Sequence, residues 1–91
     1  MIVARRFLIG GRVQGVGFRM FTVDRASFEG LHGYVRNLPD GRVEAVVEGD
    51  EQSVERVERA LRQGPPSARV ESFAAEAIVP TGRATGFMIT R

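Results

Sequence analysis

Near the middle of the chain, Pro39-Asp40-Gly41 separates two stretches of strand-forming residues. Asp-Gly supplies the positive φ angles that a tight hairpin demands, so this tripeptide is a strong turn signal. On its far side Val43, Ala45 and Val47 alternate with Arg42, Glu44 and Glu48, which is the period-two pattern of a strand with one buried face. On its near side Leu31 to Leu38 reads as the partner strand. No other tight hairpin is signalled, and each helical segment separates strands.

From Ala4 to Val13 the apolar residues Phe7, Ile9 and Val13 sit at odd positions, with Arg6 and Arg12 at even ones. Leu8 blurs the alternation, yet a strand fits best. Arg19 to Glu29 contains neither Pro nor Gly, and Gly30 can close it as a helix C-cap. Thr22, Val23 and Ala26 give this helix a buried stripe, with Asp24 and Arg25 outward. A second helix starts at Asp50, a capping residue, with Glu51 at the positive end of the macrodipole. Val54, Val57 and Leu61 form its apolar stripe beside Ala60, Glu55–Arg59 and Glu58–Arg62 are i,i+4 pairs, and Gly64-Pro65-Pro66 stops it. Val70 to Ile78 reads as a fourth strand, and Pro80 to Ala84 as a turn or loop. Gly86 to Arg91 reads as a short last strand with Phe87 and Ile89 inward.

The order is β-α-β-β-α-β plus a terminal strand. That is the split β-α-β, ferredoxin-like pattern: an α+β sandwich with both helices on one face of an antiparallel sheet. Residues 1–91 are expected to form a single domain.

Composition narrows the function. With no cysteine, the chain has no disulfide scaffold, thiolate metal site or cysteine nucleophile. His32 is the only histidine, which argues against a multi-histidine metal site. Apolar runs never approach the roughly 20 residues needed to span a bilayer, so no membrane association is expected. Arg5 and Arg6 break the N-terminal apolar stretch too early for a secretory signal, which makes the cytoplasm the default location. All 13 basic residues are arginine and the formal net charge is only +2. Any anion site therefore uses fork-shaped guanidinium donors. No block of like charge suggests a nucleic-acid tail.

The chemistry concentrates in Val13-Gln14-Gly15-Val16-Gly17-Phe18-Arg19, between the first strand and the first helix. A glycine-rich turn at a helix N-terminus presents several backbone N–H groups to one point, which is the recipe for an anion cradle. Arg19 in the first helical turn can add a bidentate contact to a phosphate or carboxylate. The competing interpretation, a flexible strand exit followed by an exposed arginine, carries equal weight on spacing alone. In the split β-α-β topology strands one and two run parallel, with the third between them. Asn37, at the end of strand two, then lies near the glycine loop although it is eighteen positions beyond Arg19. Its amide could orient a water, or it could be an ordinary turn asparagine.

Val13 to Arg19, followed by Asn37 within Gly33-Tyr34-Val35-Arg36-Asn37-Leu38-Pro39-Asp40-Gly41-Arg42-Val43-Glu44, resembles the two signature blocks of the acylphosphatase family in order and spacing. The closing Gly86-Phe87-Met88-Ile89 resembles the family's last strand. The resemblance implies hydrolysis of acyl phosphates to a carboxylate and inorganic phosphate, without metal, cofactor or phosphoenzyme. It implies that backbone N–H groups of Gly15, Val16, Gly17, Phe18 and Arg19, with the Arg19 guanidinium, hold the phosphoryl group. It also places Asn37 at the family's catalytic amide, holding the attacking water. Inorganic phosphate is expected to act as product and inhibitor, and the protein to be a monomer.

Other residues read as structural. His32 and Tyr34 suit surface or packing roles, and Phe18 and Phe21 suit core or loop anchors. Glu29 stands where the family usually has an apolar residue, and Phe28 is available to compensate at the helix end. An RNA-recognition module is the alternative from another class, since Gly15, Gly17, Phe18 and Phe21 match part of its aromatic octapeptide. Gln14, Val16 and Arg19 break that pattern, and the octapeptide belongs on a third strand, so no nucleic-acid partner is expected. The domain also resembles the N-terminal part of carbamoyl-transferring hydrogenase maturation proteins. At 91 residues the chain reads as the stand-alone form.

Overall fold

The computed structural model describes residues 1–91. Its elements are β1 (Ile2–Arg12), α1 (Phe18–Phe28), β2 (His32–Asn37), β3 (Val43–Asp50), α2 (Glu51–Gln63), β4 (Arg69–Ile78) and β5 (Phe87–Ile89). They build one five-stranded sheet in the order β4-β1-β3-β2-β5. β1 pairs antiparallel with β3, Phe7 opposite Ala45, and with β4, while β2 pairs antiparallel with β3. The ferredoxin-like α+β arrangement is therefore present. β5 alone departs from the antiparallel pattern, because it joins β2 in parallel, Tyr34 opposite Met88, and makes the sheet mixed. The chain from β4 crosses to the far edge of the sheet before β5 begins, so it arrives running in the direction of β2.

One face of the sheet carries Phe7, Ile9, Val35, Val43, Ala45 and Val47, all buried. The helices meet this face with Phe18, Ala26, Val54, Val57 and Leu61, forming one core cluster. Fully burying each large apolar side chain contributes about 1.5–3 kcal/mol, so this layer is the main source of stability. The helix ends follow their sequence signals. Gly30 N–H bonds to Ser27 and Leu31 N–H to Ala26, the paired bonds of a Schellman cap. Asp50 accepts from the Gln52 N–H at 3.2 Å.

Several sequence expectations need correction. The hairpin is a three-residue turn, with Leu38 N–H bonded to Arg42 at 2.8 Å and Gly41 N–H to Leu38 at 3.1 Å. Only Gly41 has positive φ, at 97°; Asp40 keeps φ negative, and its carboxylate accepts from the Arg42 backbone at 3.1 Å. A type I turn closed by one left-handed residue satisfies the strand twist as well as an Asp-Gly pair would. Glu58–Arg62 forms at 3.0 Å, whereas Glu55 makes no ion pair with Arg59. An exposed pair gains too little to hold two long side chains in one geometry. Phe28 does not compensate for Glu29, since it is 88% exposed. Glu29 instead takes two hydrogen bonds from Arg56, at 3.0 and 2.8 Å, so an ion pair to α2 fills the apolar residue's place.

The face away from the helices is not simply solvated. Glu44 is 2% exposed and lies between Arg6 and Arg36, each donating at 2.6 Å. Burial alone would raise its carboxyl, but Arg36 and Arg6 outweigh that and hold it below the usual 4.5. Glu48 is covered by the segment between β4 and β5. It accepts from Thr81 N–H at 2.8 Å, Thr81 Oγ1 at 3.0 Å and Gly82 N–H at 2.7 Å. These donors, led by the Thr81 N–H, also hold its carboxyl below the ordinary value. His32 has the structural part expected of it: its Nδ1 accepts from the Gly86 N–H at 2.9 Å, just before β5.

Candidate active site

The chain leaves β1 at Arg12 and enters α1 at Phe18 through a loop that turns on two glycines. Gly15 has φ 75° and Gly17 has φ 79°, ψ 16°, left-handed conformations that an L side chain adopts only at a cost. Gly17 is the N-cap of α1 and brings no capping side chain. The N–H groups of residues 14–17 have no acceptor in the protein. Those of Phe18, Arg19 and Met20 belong to the first helical turn, which has no preceding helix carbonyl to receive them. A continuous set of unused donors therefore sits at the positive end of the α1 dipole.

Two side chains hold the loop. Gln14 Nε2 donates to the carbonyls of Leu38 at 2.9 Å and Arg42 at 3.0 Å, tying the loop to the β2–β3 turn. Ser67 Oγ donates to the Val16 carbonyl at 2.8 Å from the segment after α2. Phe18 is 1% exposed and stacks edge-on with Phe21, which anchors the helix start in the core.

Beside the loop is a cavity of about 110 Å³ lined by Val13, Gly15, Gly17, Phe18, Arg19, Met20, Asn37 and Ile89. The sheet order explains the meeting, since only β3 separates β1 from β2 and their C-terminal ends share one edge. Arg19 enters none of the ion pairs. Asn37 Oδ1 is buried and is the one such side-chain atom without a hydrogen-bond partner. A buried carbonyl oxygen left unsatisfied costs about 1–3 kcal/mol, so it marks a place that a polar guest would stabilise. The arrangement can surround a tetrahedral anion with N–H donors and a guanidinium, and offers an acceptor for a water beside it.

Of the residues singled out in the sequence, Gly15, Gly17, Phe18, Arg19 and Asn37 line this cavity together. Val16 does not line it, and contributes an unpaired N–H while its carbonyl is held by Ser67. The sequence reading missed the anchoring bonds of Gln14 and Ser67 and the lining residues Met20 and Ile89. Only the position of Gln14 inside the glycine block hinted at its part. A larger hollow of about 250 Å³ lies on the opposite face of the sheet, lined by residues including His32, Tyr34, Glu48 and Arg83. The carboxylate of Glu48 in that hollow is already saturated by Thr81 and Gly82. No group of three or more His, Asp or Glu side chains is arranged to hold a metal ion, and no helix is long and apolar enough to cross a membrane.

Fold and site define a small α+β domain with a backbone cradle suited to an anion. A family model, Acylphosphatase, matches residues 5–89. An acylphosphatase of Trichormus variabilis is 55% identical over 83 residues, covering 91% of this chain and 81% of that protein. The crystal structure of acylphosphatase from Bacillus subtilis superposes with a TM-score of 0.93 at 34% identity, covering 100% of both chains. The structure of full-length HypF in a phosphate- and nucleotide-bound form matches with a TM-score of 0.88 at 30% identity, covering 100% of this chain and 12% of that one. This chain belongs to the acylphosphatase family, whose members are enzymes that hydrolyse acyl phosphates. The partial likeness to an RNA-recognition octapeptide has a plain explanation, since its Phe18 is a core residue and cannot stack on a base.

Proposed function

We propose that this chain hydrolyses acyl phosphates by direct attack of a water at phosphorus, with Arg19 and the 15–19 backbone holding the phosphoryl group and Asn37 holding the water. The observation that carries this reading is the meeting, in one cavity, of unused N–H donors, an unpaired guanidinium and a buried amide oxygen with no partner.

The N–H groups of Gly15, Val16, Gly17, Phe18 and Arg19 and the fork of Arg19 bind the phosphoryl oxygens. Asn37 Oδ1 accepts a hydrogen bond from the water and so points its lone pair at phosphorus. The water oxygen bonds to phosphorus as the bond from phosphorus to the acyl oxygen breaks. The carboxylate leaves with the bonding pair, and the water's proton passes to a phosphoryl oxygen, giving a carboxylate and dihydrogen phosphate. A carboxylate departs without protonation, so positioning and charge stabilisation supply most of the catalysis. The lining contains no carboxylate or histidine to serve as a base, which is consistent with this route. The protein acts as a monomer in the cytoplasm on a small substrate, and inorganic phosphate competes for the same cradle.

Purified Asn37→Ala, assayed with benzoyl phosphate, is the test. Turnover should fall by about 10²–10³, the usual loss for one preorganised group, while inhibition by inorganic phosphate persists. Normal turnover in this variant would remove Asn37 from the mechanism. An activity abolished by a chelator would overturn the metal-free route.

A further inference from the structure

The cavity has a second character besides its polar cradle. Met20, on the first turn of α1, is 55% exposed, and Ile89, on β5, is 40% exposed, yet both line it. They come from opposite ends of the chain and meet because β5 docks beside β2, on the side where α1 packs. Arg19 is the only charged residue of the lining. Once its guanidinium engages the phosphoryl group, no second cation in the lining remains for a carboxylate or phosphate elsewhere on the substrate.

We propose that Met20 and Ile89 are specificity-determining residues that seat the acyl group, so that the substrate class is acyl phosphates with an apolar acyl group. This rests on the reading of residues 15–19 and Arg19 as the phosphoryl site. A substrate held there by its phosphoryl end extends its acyl end over the remaining wall, which is a thioether and a branched hydrocarbon. Single exposed apolar side chains are ordinary, but two at the mouth of one polar cavity are placed to lose water when an apolar group arrives. The unbranched methionine can also adapt to different acyl shapes. A charged acyl group would lose its own hydration against this wall without a partner to replace it.

The experiment compares kcat/KM for benzoyl phosphate and acetyl phosphate in the wild type, Met20→Gln, Ile89→Thr and the double variant. Met20→Gln keeps side-chain length and helix propensity, Ile89→Thr keeps β-branching and strand propensity, and both remove apolar surface. Taking the ratio of the two substrates within each protein, then comparing proteins, cancels the intrinsic reactivity of the anhydrides. The benzoyl preference should drop about tenfold in the double variant, through KM, as expected for losing roughly 50 Å² of apolar contact. Inhibition by inorganic phosphate should be the same in all four proteins, because phosphate reaches only the cradle. A preference unchanged in the double variant, with phosphate inhibition intact, overturns the acyl seat and leaves the phosphoryl site standing. A wild type that phosphate does not inhibit overturns the phosphoryl site, and the acyl seat with it.

Discussion

The side-chain amide of Gln14 donates to the Leu38 carbonyl at 2.9 Å, joining the loop before α1 to the residue that follows Asn37. A second bond from the same nitrogen reaches Arg42 at 3.0 Å. Gln14 does not line the cavity, so in the proposed mechanism it is a positioning residue, set between the glycine loop and Asn37.

Gln14→Ala should therefore damage catalysis more than folding. Losing two ordinary hydrogen bonds costs about 1–3 kcal/mol, whereas a small misplacement of the loop against Asn37 can cost about a hundredfold in rate. Urea unfolding and kcat, measured on one preparation, separate the two effects. A variant with normal kcat would show that the tether is only structural.

Gly17→Ala tests the loop conformation. A Cβ at Gly17 would meet nothing within 4 Å, so any loss comes from the positive φ and not from a clash. Stability should fall by about 1 kcal/mol or more, with activity down at least tenfold as the loop N–H groups reorient. A chemically synthesised chain with D-alanine at this position should recover both, because D-residues favour positive φ. Failure of the D-alanine form would point to bulk as the cause.

Arg19→Lys separates geometry from charge. An ammonium keeps the positive charge but not the two-pronged contact. The variant should lose about 10²–10³ in kcat/KM and bind inorganic phosphate more weakly, with unfolding unchanged because Arg19 makes no ion pair. Near-wild-type activity would mean that only charge is required.

Acid stability should depend on Glu44. Its carboxyl is held below the usual 4.5 in the folded protein, so its contribution is complete above that pH. As pH falls through the lower folded value the contribution is lost. Glu44→Gln should cost about 2 kcal/mol at neutral pH, less than for a fully buried ion pair because Arg6 and Arg36 stay partly in water. The gap between wild type and variant should narrow below pH 4.5, as read by urea unfolding at several pH values. A gap independent of pH would exclude the ion pairs as its source.

The sequence made most of the sandwich legible. Val54, Val57 and Leu61 repeat at helical spacing, and Val43, Ala45 and Val47 at strand spacing, because each element has one dry face. The glycine block and Asn37 were legible as a pair once the strand order was assumed, since topology sets which strand ends share an edge. What stayed hidden depends on contacts between distant segments. Glu44 and Glu48 follow an outward pattern, yet partners from β1, β2 and the segment before β5 cover them. Met20 and Ile89 look like ordinary apolar residues until the parallel docking of β5 brings them to one cavity. Gln14 is a polar residue of no special type, and its bonds exist only because the hairpin folds back alongside it.

The strand order has a kinetic consequence. Of the four strand pairings only β2 with β3 joins neighbours in the chain, whereas Ala4 must find Ile78 and Phe7 must find Ala45. Closing such large loops loses chain entropy before any apolar contact compensates for it. Refolding from denaturant should accordingly take milliseconds to seconds, much slower than for a helical bundle of similar size. The edge to which β5 is added should be among the last parts to consolidate, so a newly made molecule gains its glycine loop and hairpin before the wall carrying Ile89.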